Sequence, residues 1–343
     1  MSNLPPSGEI PRGAIRFNTD SNKPELWDGS QWAEFQLSTP NLGRSVDTQP
    51  GARGLFGAGY DPAGTTNTID YINISSTGNA TDFGDLQSAR GILQSLASRT
   101  RGIWAGGRSV INVIDFVTIS STGNAQDFGD LSQGREDPCG VSNGTRGVFG
   151  GGGQHPGFSP LSAVVNTIDY ITIASTGNAV DYGDLTQARR HHGSCASPVR
   201  GIFAGGYSPG SVNTIDYITT STLGNATDFG DLTIANYGTV GCSNATRGLF
   251  SIGNSPSVNN TINYITISTL GNAVKFGELP TMQYEAGGCA SPTRGIWGGG
   301  TSPSYLNTIS YVTISSESNS VDFGDLTVSR NHLGACSNAH GGL

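Results

Sequence analysis

The chain has 343 residues, of which 51 are glycine, 35% are hydrophobic and only 13% are charged, with a net charge of −8. Non-specific nucleic-acid binding is excluded by that balance, because it needs a basic face to displace counterions. No apolar run approaches the ~20 residues that cross a bilayer, and the start MSNLPPSGEI lacks the apolar stretch of a signal peptide, so no membrane insertion is expected.

In chain order, residues 13–35 (GAIRFNTDSNKPELWDGSQWAEF) come first. They predict two strands, Ala14 to Asn18 and Glu25 to Phe35, the second broken by an Asp28-Gly29 turn. So small a meander buries too little surface to stand alone. Leu26 and the candidate docking residues Ile15, Phe17, Trp27, Trp32 and Phe35 are therefore expected to be exposed and to seek a partner. Residues 1–45 read as a small β module, and the polar segment 36–50, with two prolines, as a linker.

From about residue 47 to 343 the chain repeats. Arg-Gly-aliphatic-aromatic starts at Arg53, Arg101, Arg146, Arg200, Arg247 and Arg294, at intervals of 48, 45, 54, 47 and 47 residues. Aromatic-Gly-acid-Leu centres on Phe83, Phe128, Tyr182, Phe229, Phe276 and Phe323. Between them lies a phrase like Asn-Thr-Ile-Asp-Tyr-Ile-Thr-Ile. Each unit predicts four short strands, as in Gly193 to Ser197, Arg200 to Gly206, Asn213 to Thr220 and Ala226 to Leu232. The third carries apolar residues on both parities, as a strand covered on both faces does. Gln87 to Ser98 is poor in strand formers, yet the register places it at a first strand. Asn331 to Ala339 copies Tyr237 to Ala245, and no good copy precedes Arg53. The expected fold is all-β: a six-bladed β-propeller whose C-terminal strand completes the opening blade and hides its edge.

Little of this is arranged for catalysis. Cys139, Cys195, Cys242, Cys289 and Cys336 fall in first strands, with Leu96 in that slot of another copy, so a buried apolar role is expected. His191 and His332 share a repeat position, and no local metal-binding spacing occurs; neither a metal nor a cofactor is expected. The repeated arginines are expected to pair with repeated carboxylates, from Asp70, Asp115, Asp169 and Asp216 or from Asp85, Asp130, Asp184 and Asp231. What varies is the loop between second and third strands, longest at Gly151 to Val165. These loops carry the candidate binding residues Tyr60, His155, Phe158, Tyr207 and Tyr305, aromatics that suit carbohydrate or protein contact.

The Arg-Gly-Ile-Phe-Ala-Gly-Gly strand, the tyrosine strand after it and the aromatic followed by Leu and Arg resemble kelch repeats. Units such as NTIDYITIASTGNAVDYGDLTQAR are similar to the kelch-like repeats of structural proteins of tailed, especially marine, phages. The N-terminal Gly-x-Ile-Arg-Phe-Asn-Thr and Asp-Gly-Ser-x-Trp resemble a module that opens phage fibre and appendage proteins. The resemblance implies a non-enzymatic virion protein, assembled in the host cytoplasm and docked to other virion proteins, or to copies of itself, through residues 1–45. Its propeller would meet a host-surface glycan or receptor. The role implied is a tail fibre or appendage; the alternatives are a head fibre or capsid decoration, a glycan-processing propeller enzyme and a cytoplasmic kelch adaptor.

Overall fold

Every regular element among the described residues is a strand. The structure is a computed structural model and describes residues 10–18, 23–34, 52–154, 163–254 and 259–339. It divides into two units, Met1–Arg44 and Ser45–Leu343.

The first unit is a three-stranded antiparallel meander of Ile15–Asn18, Lys23–Trp27 and Trp32–Glu34. Its last turn forms because Asp28 Oδ1 accepts from the backbone N–H groups of Ser30 and Gln31 and from the Ser30 hydroxyl, which holds the Asp28 carboxyl down at about 2. Cross-strand pairing places Trp27 opposite Trp32 and Arg16 opposite Glu25. On that face Arg16 bonds Glu25 at 2.6 Å and lies 4.3 Å from the Trp32 ring. Ile15 and Phe17 alternate onto the other face and are 67% and 59% exposed. Trp27 is only 6% exposed, which corrects the expectation that it stands open: its ring packs 5.4 Å from that of Trp32. Trp32 is half-buried, and Phe35 lies outside the described residues.

The second unit holds six four-stranded antiparallel sheets. Sheet 4 is typical, with strands Gly193–Ala196, Arg200–Ala204, Val212–Thr219 and Thr227–Asn236 in that order. Sheets 2, 3, 5 and 6 run from Gln94 to Asp130, Cys139 to Asp184, Val240 to Glu278 and Gly287 to Asp325. Sheet 1 draws Arg53–Asp61, Gly64–Asn73 and Thr81–Asp85 from the start of the unit and Gly334–Ser337 from its end. That last strand pairs Gly334 with Gly57 and Ser337 with Gly54. Residues 87–98 form no helix: Gln94–Ala97 is the first strand of sheet 2.

The repeated phrases have local causes. In aromatic-Gly-acid-Leu the aromatic is the extra residue of a β-bulge. In sheet 1, Asp70 faces Asp82 and Ile69 faces Gly84, so Phe83 is left over and buried. There it packs edge-on against Tyr71, at 6.0 Å. Gly84 has φ +145°, and a Cβ on it would meet the Gly123 carbonyl of the next sheet at 2.5 Å, so only glycine fits. The glycine of Arg-Gly answers to close approach alone: a Cβ on Gly54, Gly248 or Gly295 would lie 2.8, 2.5 and 2.8 Å from the sulfurs of Cys289, Cys195 and Cys242 in the preceding sheet.

The cysteine register needs one correction. Cys195 faces Ile202 in sheet 4, but Val141, not Cys139, faces Val148 in sheet 3. Cys195, Cys242, Cys289 and Cys336 thus share a slot with Leu96 and Val141, while Cys139 sits two residues earlier and donates to the His192 carbonyl. All five thiols are free and buried, and burial pushes their ionisation upward, that of Cys336 to about 12.

The arginines are corrected too. Arg53, Arg101, Arg146, Arg200, Arg247 and Arg294 do not pair with the repeated carboxylates. Each donates to a backbone carbonyl of the next sheet at 2.8–3.1 Å: Ile119, Ile173, Thr220, Ile267, Ile314 and, from sheet 6, Ile74 of sheet 1. Each guanidinium also lies 4.5–4.9 Å from the aromatic ring of its own third strand. The buried Asp70, Asp115, Asp169 and Asp216 pair instead with Arg330, Arg90, Arg135 and Arg189, which follow the fourth strands. In the two remaining copies the acid is Asn263 or Ser310 and the arginine position holds Asn236 or Gln283. Asp85, Asp130, Asp184 and Asp231 tie sheets together through the main chain, where their backbone N–H groups donate to Asn124, Asn178, Asn225 and Asn272 of the following sheet.

Candidate functional site

The residue two before each first strand differs in chemistry between the copies. These positions are Ile92, Asp137, His191, Gly238, Glu285 and His332, and all six have φ between 50° and 70°. That left-handed backbone is costly for every one except glycine. It is held by bonds between neighbours: Asp137 N–H donates to the Ile92 carbonyl, Gly238 to His191 and His332 to Glu285, each at 2.8 Å, and Ile92 donates to His332 at 3.1 Å. The first strands of successive sheets also touch, those of sheets 6 and 1 and of sheets 1 and 2 included, so six segments distant in sequence bring these residues together.

Four of the six side chains are imidazoles or carboxylates, and they meet. His191 Nδ1 lies 2.7 Å from an Asp137 oxygen and His332 Nε2 lies 2.9 Å from Glu285 Oε1. The two imidazoles stand edge to face at 6.1 Å. One potential donor atom from each of His191, Glu285 and His332 lies within 4.8 Å of the other two. Burial alone would lower the pKa of His191, but the Asp137 charge and hydrogen bond outweigh it and hold the imidazole above its usual value. Burial would raise Asp137, and His191 likewise outweighs it, keeping the carboxylate ionised. The neighbouring His192 is pushed down to about 3 by burial and then by the charge of Arg189.

These groups line a cavity of about 20 Å³, together with Leu93, Thr239, Val240 and Leu333. A second of about 20 Å³ is lined by Cys139, His192, Ser194 and Gly241. Each has room for about one water-sized body and no more. The aromatic neighbours of His191 and His332 include tyrosines. Tyr60 packs edge-on against His332 at 5.7 Å, and Tyr237 lies 6.2 Å from His191 and 5.8 Å from Tyr207. Arg108 donates to the Tyr60 hydroxyl at 3.1 Å. Tyr305 shares a β-bridge with Thr301, which bridges in turn to Tyr284.

Of the binding residues expected from the sequence, Tyr60 therefore packs on His332, Tyr207 packs on Tyr237 beside His191, and Tyr305 is joined through Thr301 to Tyr284. His155 and Phe158 lie outside the described residues. Sequence reasoning missed Asp137 and Glu285 and set His191 and His332 aside as repetition. The available signal was the column itself, where four of six copies carry an imidazole or a carboxylate beside strands that are near copies.

A shallow depression of about 270 Å³ is lined by Tyr264, Thr266, Thr269, Leu270, Asn272 and Val274; no carboxylate or imidazole lines it. No protein-family model matches the chain, and none of the curated proteins matches it.

Proposed function

We propose that Ser45–Leu343 is a six-bladed kelch-like propeller, its opening blade completed by the C-terminal strand, and that the protein is a non-enzymatic structural component of a tailed-phage virion. In this reading the N-terminal module docks to other virion proteins, and the propeller is a tail fibre or appendage platform for a host-surface glycan or receptor. The single observation that carries the platform is the repeated arginine bond from each sheet to the next, whose last member runs from Arg294 to Ile74. Sheets tied at every junction make a stiff scaffold, and rigid scaffolds present recognition residues at low entropic cost.

Binding is favoured over catalysis by size. Substrate sites enclose roughly 300–1,000 Å³, whereas the cavities where titratable groups converge hold about 20 Å³ each. A tail role is favoured over a capsid decoration because the tyrosines beside the ring, Tyr60, Tyr207, Tyr237 and Tyr284, occur in some copies and are absent from others, so they offer an asymmetric surface suited to a specific partner. The virion assignment rests on the sequence resemblance, and docking through residues 1–45 on the exposed Ile15 and Phe17.

The test uses particles assembled with variant chains. Ile15→Ser with Phe17→Ser is expected to remove the protein from purified particles while its melting temperature holds; normal incorporation would overturn the docking reading. Tyr60→Ala with Tyr207→Ala is expected to leave incorporation intact and to lower adsorption to host cells by more than about tenfold, as the loss of hot-spot contacts does. Unchanged adsorption would instead favour a decoration, and sugar released from host glycans by the purified chain would favour the enzyme.

A further inference from the structure

We infer that the ring of left-handed residues binds one divalent transition-metal ion of the zinc class, with His191, Glu285 and His332 as protein ligands and Asp137 holding His191 in place. Three observations carry this, none of which depends on where the protein resides.

The first is convergence. If three donor atoms lie within 4.8 Å of one another, a point exists within about 2.8 Å of all three (4.8/√3). Zinc–nitrogen and zinc–oxygen bonds are about 2.0–2.2 Å, so the donors need close in by less than about 1 Å. They come from segments entering sheets 4, 6 and 1, which is why no sequence spacing betrays them.

The second is the donor set. Two imidazoles and one carboxylate suit zinc, cobalt or nickel, whereas magnesium and calcium take oxygen ligands. A carboxylate 2.7 Å from Nδ1 of a ligating histidine is the usual outer-sphere partner. It sets the tautomer, and Nε2 becomes the ligating atom of His191.

The third is economy of the fold. Ile92 and Gly238 occupy the same backbone position with the same left-handed φ, so the ring forms without charge there. The cavity among the four ionisable groups holds one small ion or one water and excludes an organic ligand. One small ion matches that volume.

The full-length chain, stripped with EDTA and dialysed, is titrated with ZnCl2 by calorimetry and melted with ZnCl2 or MgCl2. One zinc per chain is expected, with a melting temperature several degrees higher under excess zinc and no shift with magnesium. Asp137→Asn should weaken zinc binding roughly 10–100-fold, and Glu285→Gln and His332→Gly should weaken it further. Glycine already stands at ring position 238 and the amide is nearly isosteric, so both variants should fold, which their metal-free melting temperatures check. Asp322→Asn, at an exposed carboxylate in the fourth strand of sheet 6, should bind as the parent does. No heat and no shift with ZnCl2, or parental affinity in both ligand variants, would overturn the assignment.

Discussion

At the scale of single residues, the buried ion pairs are the most informative feature. Arg135 bonds Asp169 at 2.6 Å with both side chains fully buried, and it also donates to the carbonyls of Thr167 and Phe149. Removing one member of such a pair strands a buried charge, at about 3–5 kcal/mol, whereas removing both can be nearly neutral. The protein carries its own precedent: at the matching positions of another junction it places Asn236 and Asn263. Arg135→Asn alone and Asp169→Asn alone should each lower unfolding free energy by about 3–5 kcal/mol, and the double variant should recover most of the loss. Denaturant titrations of the four proteins test this, and strictly additive losses would refute it. The sequence contains two arginine columns and two acid columns, and length arithmetic cannot say which meet. Paired exceptions can: where the acid becomes Asn263 or Ser310, the arginine of the preceding copy becomes Asn236 or Gln283, while Arg247 and Arg294 stay. The candidate site was hidden for the opposite reason. Reading by repetition set His191 and His332 aside because they recur, and passed over Asp137 and Glu285, which stand among Ile92 and Gly238 in the same column.

At the scale of strands, neighbouring sheets are spaced by the glycine of each Arg-Gly phrase. Gly248 is not in a left-handed conformation; its constraint is the Cys195 sulfur, 2.5 Å from where a Cβ would sit. Gly248→Ala should therefore overpack the interface between sheets 4 and 5 and cost about 1–3 kcal/mol. Cys195→Ala frees the same space, so the double variant should be more stable than Gly248→Ala alone; a double variant no better than that single one would show that the strain lies elsewhere. Strand positions were legible in the sequence because the periodicity, the bulge glycines and the turn residues agree in copy after copy. Gly193–Ala196 and Arg200–Ala204 fall within a residue or two of their expected limits. The slot of Cys139 was not legible, since a cysteine two positions early still lies in the same short strand and only the pairing register separates the two. Trp27 departs from expectation for a physical reason as well: a meander too small for a core can still bury one ring by packing it, tilted, against another across a cross-strand pair.

At the scale of the whole molecule, the last strand of the second unit holds its first. Gly334–Ser337 pairs with Arg53–Asp61, Asn338 accepts from the Arg53 N–H, and the Arg53 carbonyl accepts from Asn338. Leu333, Ala335 and Cys336 are buried there, and the Trp104 indole of sheet 2 donates to the Gly334 carbonyl at 3.1 Å. Deleting residues 332–343 therefore strips sheet 1 to three strands and uncovers the strand that carries Leu55 and Phe56, an unpaired edge open to association with other chains. Losing Leu333 and Cys336 together with their strand bonds should cost several kcal/mol, which for a unit of this size lowers the melting temperature on the order of 10 °C. The loss should be cooperative, since sheets 1, 2 and 6 each lose contacts with the departed strand. A synthetic peptide of residues 332–343 added to the truncated chain should restore much of the melting temperature in a concentration-dependent way and suppress aggregation, while a scrambled peptide should not. A truncated chain that melts as the parent does and stays monomeric would mean that sheet 1 does not need the strand from the end of the chain, and the six-bladed reading would then have to give way to an open array.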